Sequence, residues 1–400
     1  MTFDVSKVRA HFPALASGIA FFDGPGGSQV PDVVGARISQ VITSAISNRG
    51  MVTSSEQNAQ EIVLEFRQAV ADLVGANPGG VVYGRSWTQL TYDFSRSLAK
   101  TWSEGDEIIV SRLDHDSNVR PWIQAAESVG AVVKWAEFDL ATGEMEPAVI
   151  ESLLTSRTKL VALTGASNVL GTRPNLKVIS KSVHKVGALF YVDGVHLTPH
   201  APITVADIGA DFYGFSAYKI FGPHCAALVA DPALLASIKN DKLLPSTDDV
   251  PERFEFGTLP YEIMAGVTAA IDFIAGMGGS KSTDRRERIL TSMTECEEHE
   301  TELITYMESG ILTLPKIRLY SRAENRTPTL FFDFEGIDSA DVYRYLATKK
   351  INAPASNFYA IESCLALGLG YGGAVRTGLA PYSTREDVDR LLNALAEMPR

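Results

Sequence analysis

The stretch Tyr191-Val-Asp-Gly-Val-His-Leu197, followed by Phe215-Ser-Ala-Tyr-Lys-Ile-Phe-Gly-Pro223, decides how this chain is read. In the first segment an apolar strand ends in an acid, Asp193. In the second an apolar run ends in a lysine, Lys219, inside a polar, glycine-bounded turn. Apolar runs of this length read as buried strands, and ligands gather at the carboxyl ends of such strands.

Outward from that pair, short β-branched runs alternate with helical patterns. The runs are Ile19–Phe22, Val81–Gly84, Glu107–Val110, Ala131–Trp135, Leu160–Leu163, Leu189–Val192, Phe212–Phe215 and Ala226–Val229. Between them, stretches such as Ala59–Leu73, Thr88–Lys100, Val119–Val129, Glu146–Leu154 and Lys177–Val186 carry the helical period. The alternation predicts an α/β domain with a mostly parallel sheet flanked by helices. After a long helix over Glu262–Ile274 the order changes. A charged helix over 284–308 precedes a strand Thr329–Phe334, a helix Asp338–Thr348, an apolar helix Tyr359–Leu367, a strand Ala374–Leu379 and a helix Arg385–Leu395. This predicts a smaller C-terminal α+β domain. The expected division is an N-terminal segment 1–20 packing with the small domain, a large domain 21–280 and a small domain 281–400.

Composition narrows the function. The chain has 400 residues, 45% hydrophobic, enough for two lobes, and its net charge of −12 argues against nucleic acid or an anionic membrane as partner. Three dispersed cysteines, Cys225, Cys296 and Cys364, fit a reducing cytoplasm and give no zinc framework. No signal core or run of about 18 apolar residues is present. The histidines show no metal-ligand spacing, so no metal is expected. Gly368-Leu-Gly-Tyr-Gly-Gly373 fits G-x-G-x-x-G as a string, but it follows a helix and precedes a strand, the reverse of a dinucleotide site. The Arg- and Glu-rich stretch 284–300 reads as a solvated helix with i,i+4 pairs.

Further polar sites fall at or near predicted strands. Ser86, Trp87 and Thr88 lie between a strand and a helix N-terminus, where orphan N–H groups favour an anion such as phosphate; an ordinary helix cap reads the same way. His115, in Asp114-His-Asp-Ser-Asn118, can stack on a flat ring or be a solvated loop residue. Asn168, in Ser167-Asn-Val-Leu-Gly-Thr172, can bond a phenolic oxygen or form an Asx turn, and His196 can reach the same oxygen. Ser216 adds a hydroxyl before the lysine turn. Arg376, in a late strand, is either a two-point clamp for a carboxylate or a surface partner of an acid such as Asp387.

An acid and an amine at adjacent strand ends, with a phosphate turn nearby, are what pyridoxal 5′-phosphate requires. The lysine takes the aldehyde as a Schiff base and the acid keeps the ring nitrogen protonated. Here the chain resembles the class V aminotransferase superfamily of fold-type I enzymes that use this cofactor, and within it the cysteine desulfurase-like branch. The resemblance runs from Phe22-Asp-Gly-Pro-Gly-Gly27 to Tyr382-Ser-Thr-Arg-Glu-Asp-Val-Asp-Arg390. It rests on Asp114-His-Asp-Ser-Asn-Val-Arg-Pro-Trp122, Ser167–Thr172, Val192-Asp-Gly194 and Ser216-Ala-Tyr-Lys219. It implies Lys219 as Schiff-base lysine, Asp193 as ring-nitrogen acid and His115 stacked on the ring. Gly257 and Thr258, in Phe254-Glu-Phe-Gly-Thr258, would reach the phosphate of a neighbouring subunit, which implies a homodimer with shared sites.

Departures from the desulfurase pattern bear on specificity. Tyr218 stands where desulfurases carry histidine, and His196 where they often carry glutamine. Their persulfide-forming cysteine aligns near Ser356-Asn-Phe-Tyr359, which has none; Cys364 reads as buried in a helix. Asn357, Phe358 and Tyr359 are expected to line the substrate pocket instead. The expected function is chemistry on a small α-amino acid: its amine displaces Lys219, Arg376 holds its carboxylate, and Lys219 takes the α-proton. Desulfurase-like C–S or C–Se lyase chemistry by β-elimination is favoured, with aminotransferase or epimerase as alternatives. A non-catalytic cofactor-binding or sulfur-relay protein is the rival from another class.

Overall fold

The computed structural model describes residues 3–398. Seven strands form the larger sheet: β1 (Val81–Gly84), β2 (Glu107–Ser111), β3 (Val132–Ala136), β4 (Thr158–Thr164), β5 (Leu189–Asp193), β6 (Phe212–Ser216) and β7 (Ala226–Ala230), in the order β1-β7-β6-β5-β4-β2-β3. Only β7 runs against its neighbours. Two reversals therefore return β1 to the common direction, and the carboxyl ends of β1, β2, β4, β5 and β6 open on one edge.

The central strands are largely apolar because both faces are covered. Val81, Tyr83, Ile109, Val161, Leu163, Phe190, Val192, Tyr213 and Phe215 pack on one side, with helices Ser54–Val74 and Tyr261–Met277. Val82, Ile108, Val110, Leu160, Ala162, Tyr191 and Phe212 pack on the other, with Trp87, Phe94 and Trp122. Successive residues alternate between the two layers, as strand geometry requires.

A four-stranded antiparallel sheet follows: β8 (Ile317–Leu319), β9 (Thr329–Phe334), β10 (Ala355–Ser356) and β11 (Ala374–Gly378), ordered β10-β11-β9-β8. Its core of Leu330, Phe332, Phe334, Val342, Leu346 and Val375 includes Ala20 and Phe22 from the start of the chain. The run expected at Ile19–Phe22 lies outside the larger sheet: Ala20–Phe21 pairs in parallel with Ile351–Asn352.

The charged helix Arg285–Ile311 also departs from expectation. One face is buried through Ile289, Met293, Cys296, Leu303, Ile304 and Met307. Its charges reach other elements instead of pairing along the helix. Arg286 donates to the carbonyls of Asp72 and Leu73, Arg173 pairs with Glu297 at 2.5 Å, and His200 meets Glu300 at 2.9 Å. Partners a turn away were the only ones visible in sequence, whereas packing supplied nearer ones. No helix among the described residues is long and apolar enough to cross a membrane.

The side-by-side register places Thr164, Asp193 and Gly214 in one row. A Cβ at Gly214 would lie 1.8 Å from Trp87 Cζ3, so the missing side chain is what lets the indole lie on the sheet. Gly214→Ala should destabilise the fold by about 1–3 kcal/mol through overpacking. Gly276→Ala, on an exposed helical position with nothing within 4 Å, should be neutral or stabilising. Thermal denaturation of the two variants checks the contrast.

Candidate active site

The larger sheet delivers its polar strand ends to one place. A small cavity of about 70 Å³ is lined by Ser86, Trp87, Thr88, His115, Asn168, Asp193, His196, Ser216, Tyr218 and Lys219, among others. It adjoins a cleft of about 640 Å³ that shares Thr88, His115, Asn168, Tyr218 and Lys219 and adds Arg376, Phe358 and Tyr359.

Asp193 ends β5 and is almost wholly buried. The Val195 N–H donates to its Oδ1 at 2.9 Å and the Trp87 indole N–H to its Oδ2 at 2.7 Å. Burial pushes its carboxyl up, while these two donors and the Lys219 charge act against that. Lys219, in the turn after β6, is also buried. Burial pushes its amine below the usual lysine range and the nearby Arg376 adds to this, while Asp193 opposes. The result is an amine that is readily uncharged and nucleophilic.

Ser86 caps helix Trp87–Ala99, its Oγ accepting the Gln89 N–H at 3.1 Å. The remaining N–H groups of that first turn have no intrahelical partner, and Thr88 of the same turn lines both spaces. Trp87 has a position the sequence did not suggest. Read there as part of a phosphate turn, it turns its indole to Asp193 and stacks on Tyr191 with centroids 5.3 Å apart.

His115 accepts the Ser117 N–H on Nδ1 at 3.1 Å, and burial together with Lys219 and Arg376 pushes it down to about 3. It is therefore a neutral ring with its proton on Nε2. The exposed Tyr359 ring tilts against it at 5.7 Å. His196 places Nε2 between the hydroxyls of Thr329 at 3.0 Å and Thr327 at 3.1 Å. Its Nδ1 is buried without a partner.

Asn168 does more than face a ring. Its Nδ2 donates to the Phe358 carbonyl at 3.0 Å, its Oδ1 is buried without a partner, and its own carbonyl accepts from Arg376 Nη1 at 2.9 Å. Arg376 comes from β11 and is almost wholly buried; burial pushes it down to about 9. Asp387 is not its partner: that carboxylate pairs with Arg9 at 2.9 Å and caps its own helix.

Three expected residues lie elsewhere. The Asn357 amide faces away, with Nδ2 donating to the Tyr371 carbonyl at 2.8 Å and Oδ1 accepting the Tyr359 N–H at 2.9 Å, so it shapes the loop and does not line the cleft. Thr258 lines a separate cleft of about 730 Å³ with Tyr83, Arg85, Tyr92 and Phe256, while Gly257 supplies a left-handed turn at φ 82°. Cys364 is buried in helix Ile361–Ala366, its thiol pushed up to about 12 by burial. The expected helix Tyr359–Leu367 is shorter because Phe358 and Tyr359 are left-handed, at φ 50° and 57°. Such backbone costs roughly 1–2 kcal/mol per residue. Tyr92, Asp116, Arg120 and Pro25 also line the cleft without having been singled out. Tyr92 follows Thr88 by four residues on one helix face, which was the available signal.

These groups match a flat, phosphorylated pyridine aldehyde: an amine, a ring acid, a helix N-terminus, and the partnerless polar atoms on His196 and Asn168. Comparison with known proteins agrees. A family model described as aminotransferase class-V matches residues 20–391. The chain belongs to that family. It is 30% identical to a cysteine desulfurase of Pectobacterium carotovorum subsp. carotovorum over 100% of this chain and 99% of the relative. It is 33% identical to the aminotransferase-like protein FGM3 of Gibberella zeae over 98% of each chain. The solved cysteine desulfurase CsdA of Escherichia coli superposes with a TM-score of 0.87 at 26% identity, covering 99% of this chain and 98% of the other. The chain is thus a pyridoxal phosphate-dependent enzyme with the fold-type I architecture.

The depressed Lys219 amine has a direct consequence. Imine formation between the protein and added pyridoxal 5′-phosphate should gain rate with rising pH through a midpoint well below the ordinary lysine range. Asp193→Asn, which removes the group that raises Lys219, should move that midpoint lower. Stopped-flow absorbance against pH measures both.

Proposed function

We propose that this enzyme cleaves a Cβ–S or Cβ–Se bond of a small α-amino acid by β-elimination, without storing sulfur on the protein. The observation that carries the reading is a pair of adjoining spaces that share the Lys219 amine, one lined by the Asp193 carboxylate and the other by a buried Arg376 that makes no ion pair within 4 Å among the described residues. Pyridoxal phosphate, when bound, would supply an aldehyde-level carbon for the substrate amine and an electron sink.

The protein's own groups do the rest. Arg376 holds the α-carboxylate, which fixes the α-carbon beside Lys219. Asp193, whose ionised form is favoured by its two N–H donors and the Lys219 charge against the effect of burial, would keep a pyridine nitrogen protonated. The helix N-terminus at Ser86–Thr88 would receive phosphate, and His196 and Asn168 would hold the phenolic oxygen. Released from the aldehyde, the Lys219 amine takes the α-proton. The electron pair left at the α-carbon forms the Cα–Cβ double bond as the Cβ–S bond breaks, and sulfur departs with its own pair.

Similarity to desulfurases over the full chain supports the choice of leaving group. Ser356–Tyr359 offers no thiol, and Cys364 is too buried and too weakly acidic to be a nucleophile. We further infer a homodimer. Exposed Met51, Val52, Leu244 and Phe256 support it, and the Thr258 cleft would meet the partner's site.

A panel of amino acids in deuterated water, followed by mass spectrometry, tests the reaction. We expect α-deuterium exchange and sulfide or selenide release from a β-substituted substrate. Lys219→Ala should abolish both, and Arg376→Lys should raise KM roughly 10-fold or more. Cys364→Ala should change neither. Exchange with no amino acid would contradict the mechanism, and full exchange with amino-group transfer or inversion would assign the alternative reactions. Light scattering of the same preparation should report two chains.

A further inference from the structure

The Arg376 guanidinium is held on three sides. Its Nη1 donates to the Asn168 carbonyl at 2.9 Å, and its Cζ lies 3.7 Å from the centre of the Phe358 ring. Gly26 approaches so closely that a Cβ there would lie 3.3 Å from Nη2. Nε and Nη2 make no hydrogen bond among the described residues, and Nε is buried. The guanidinium therefore keeps N–H groups without a hydrogen-bond partner, and Arg376 lines the cleft shared with Lys219.

Phe358 is itself fastened. Its carbonyl accepts from Asn168 Nδ2 at 3.0 Å, and the Tyr359 carbonyl accepts the Asp116 N–H at 2.7 Å. Three residues on, Glu362 pairs with Arg112 at 2.6 Å and with Arg120, and the Ser363 hydroxyl donates to the Arg112 carbonyl at 2.6 Å. Asn168 thus serves both sides: its backbone takes the guanidinium and its side chain takes the loop that brings the ring. A carboxylate bonds a guanidinium with two parallel N–H groups only when the two planes coincide. A ring lying over the guanidinium at this distance restricts that plane and keeps water from one side of it.

Resting on the reading above, we propose that Phe358 is a positioning residue for the substrate: its ring holds the Arg376 guanidinium in the orientation that receives the α-carboxylate. The site then takes amines that carry a free carboxylate next to the reacting nitrogen and discriminates against amines and amino-acid amides.

Two small reagents isolate this. Aminooxyacetate and methoxyamine both attack the cofactor carbon held by Lys219, and only the first bears a carboxylate. With the cofactor-loaded wild type, aminooxyacetate should react much faster. Phe358→Ala should slow aminooxyacetate roughly tenfold and leave methoxyamine unchanged. Phe358→Tyr, which keeps the ring, should restore the wild-type rate. Phe358→Leu, which keeps an apolar side chain without a π face, should behave as Phe358→Ala and serves if that variant does not fold. Equal slowing of both reagents, or of neither, overturns the role of Phe358 while leaving the cofactor reading intact. If the wild type reacts with neither reagent, the cofactor reading falls and this inference with it.

Discussion

A carboxylate taken out of water at the end of a parallel strand is the constraint around which this site is organised. Asp193 is buried beside a buried lysine, and such a pair is costly unless remaining lone pairs find donors. The Val195 N–H and the Trp87 indole provide them. The indole reaches only because Gly214, the neighbour of Asp193 in register, has no side chain. A glycine in β6, a tryptophan opening a helix and an acid ending β5 therefore act together. Lys219, one turn past β6, inherits from the same burial an amine that gives up its proton easily.

The second sheet completes the site from the other side. Arg376 leaves β11 and meets the carbonyl of Asn168, which follows β4 of the larger sheet. The strained turn Phe358–Tyr359 bridges the same gap, tied to Asn168 and Asp116. Set against a thiol-bearing loop, the Ser356–Tyr359 loop offers no sulfur acceptor and lines the cleft with the Phe358 and Tyr359 rings, fastened at several points. That difference separates the chemistry proposed here from storage of sulfur on the protein.

Much of this was legible in the sequence. The strand Val81–Gly84 has the observed limits, and β5 and β6 extend one residue past the expected runs, because apolar strands buried on both faces leave a strong, simple signal. Polar residues at strand ends were likewise visible, since parallel topology sends those ends to one edge. The directions of side chains were not visible. Trp87 turns to Asp193 instead of the phosphate turn, the Asn357 amide faces Tyr371, and Asn168 spends one N–H on the Phe358 carbonyl. Each depends on a partner 14 to 190 residues away. The pairing of Ala20–Phe21 with Ile351–Asn352 was hidden for the same reason.

The central claim is that Lys219 carries the cofactor as an imine. Borohydride reduction of the cofactor-loaded protein, followed by proteolysis and peptide mass spectrometry, measures this directly. The account predicts a single pyridoxyl phosphate adduct on the peptide containing Lys219. An adduct on another lysine, or none after loading and reduction, would contradict it.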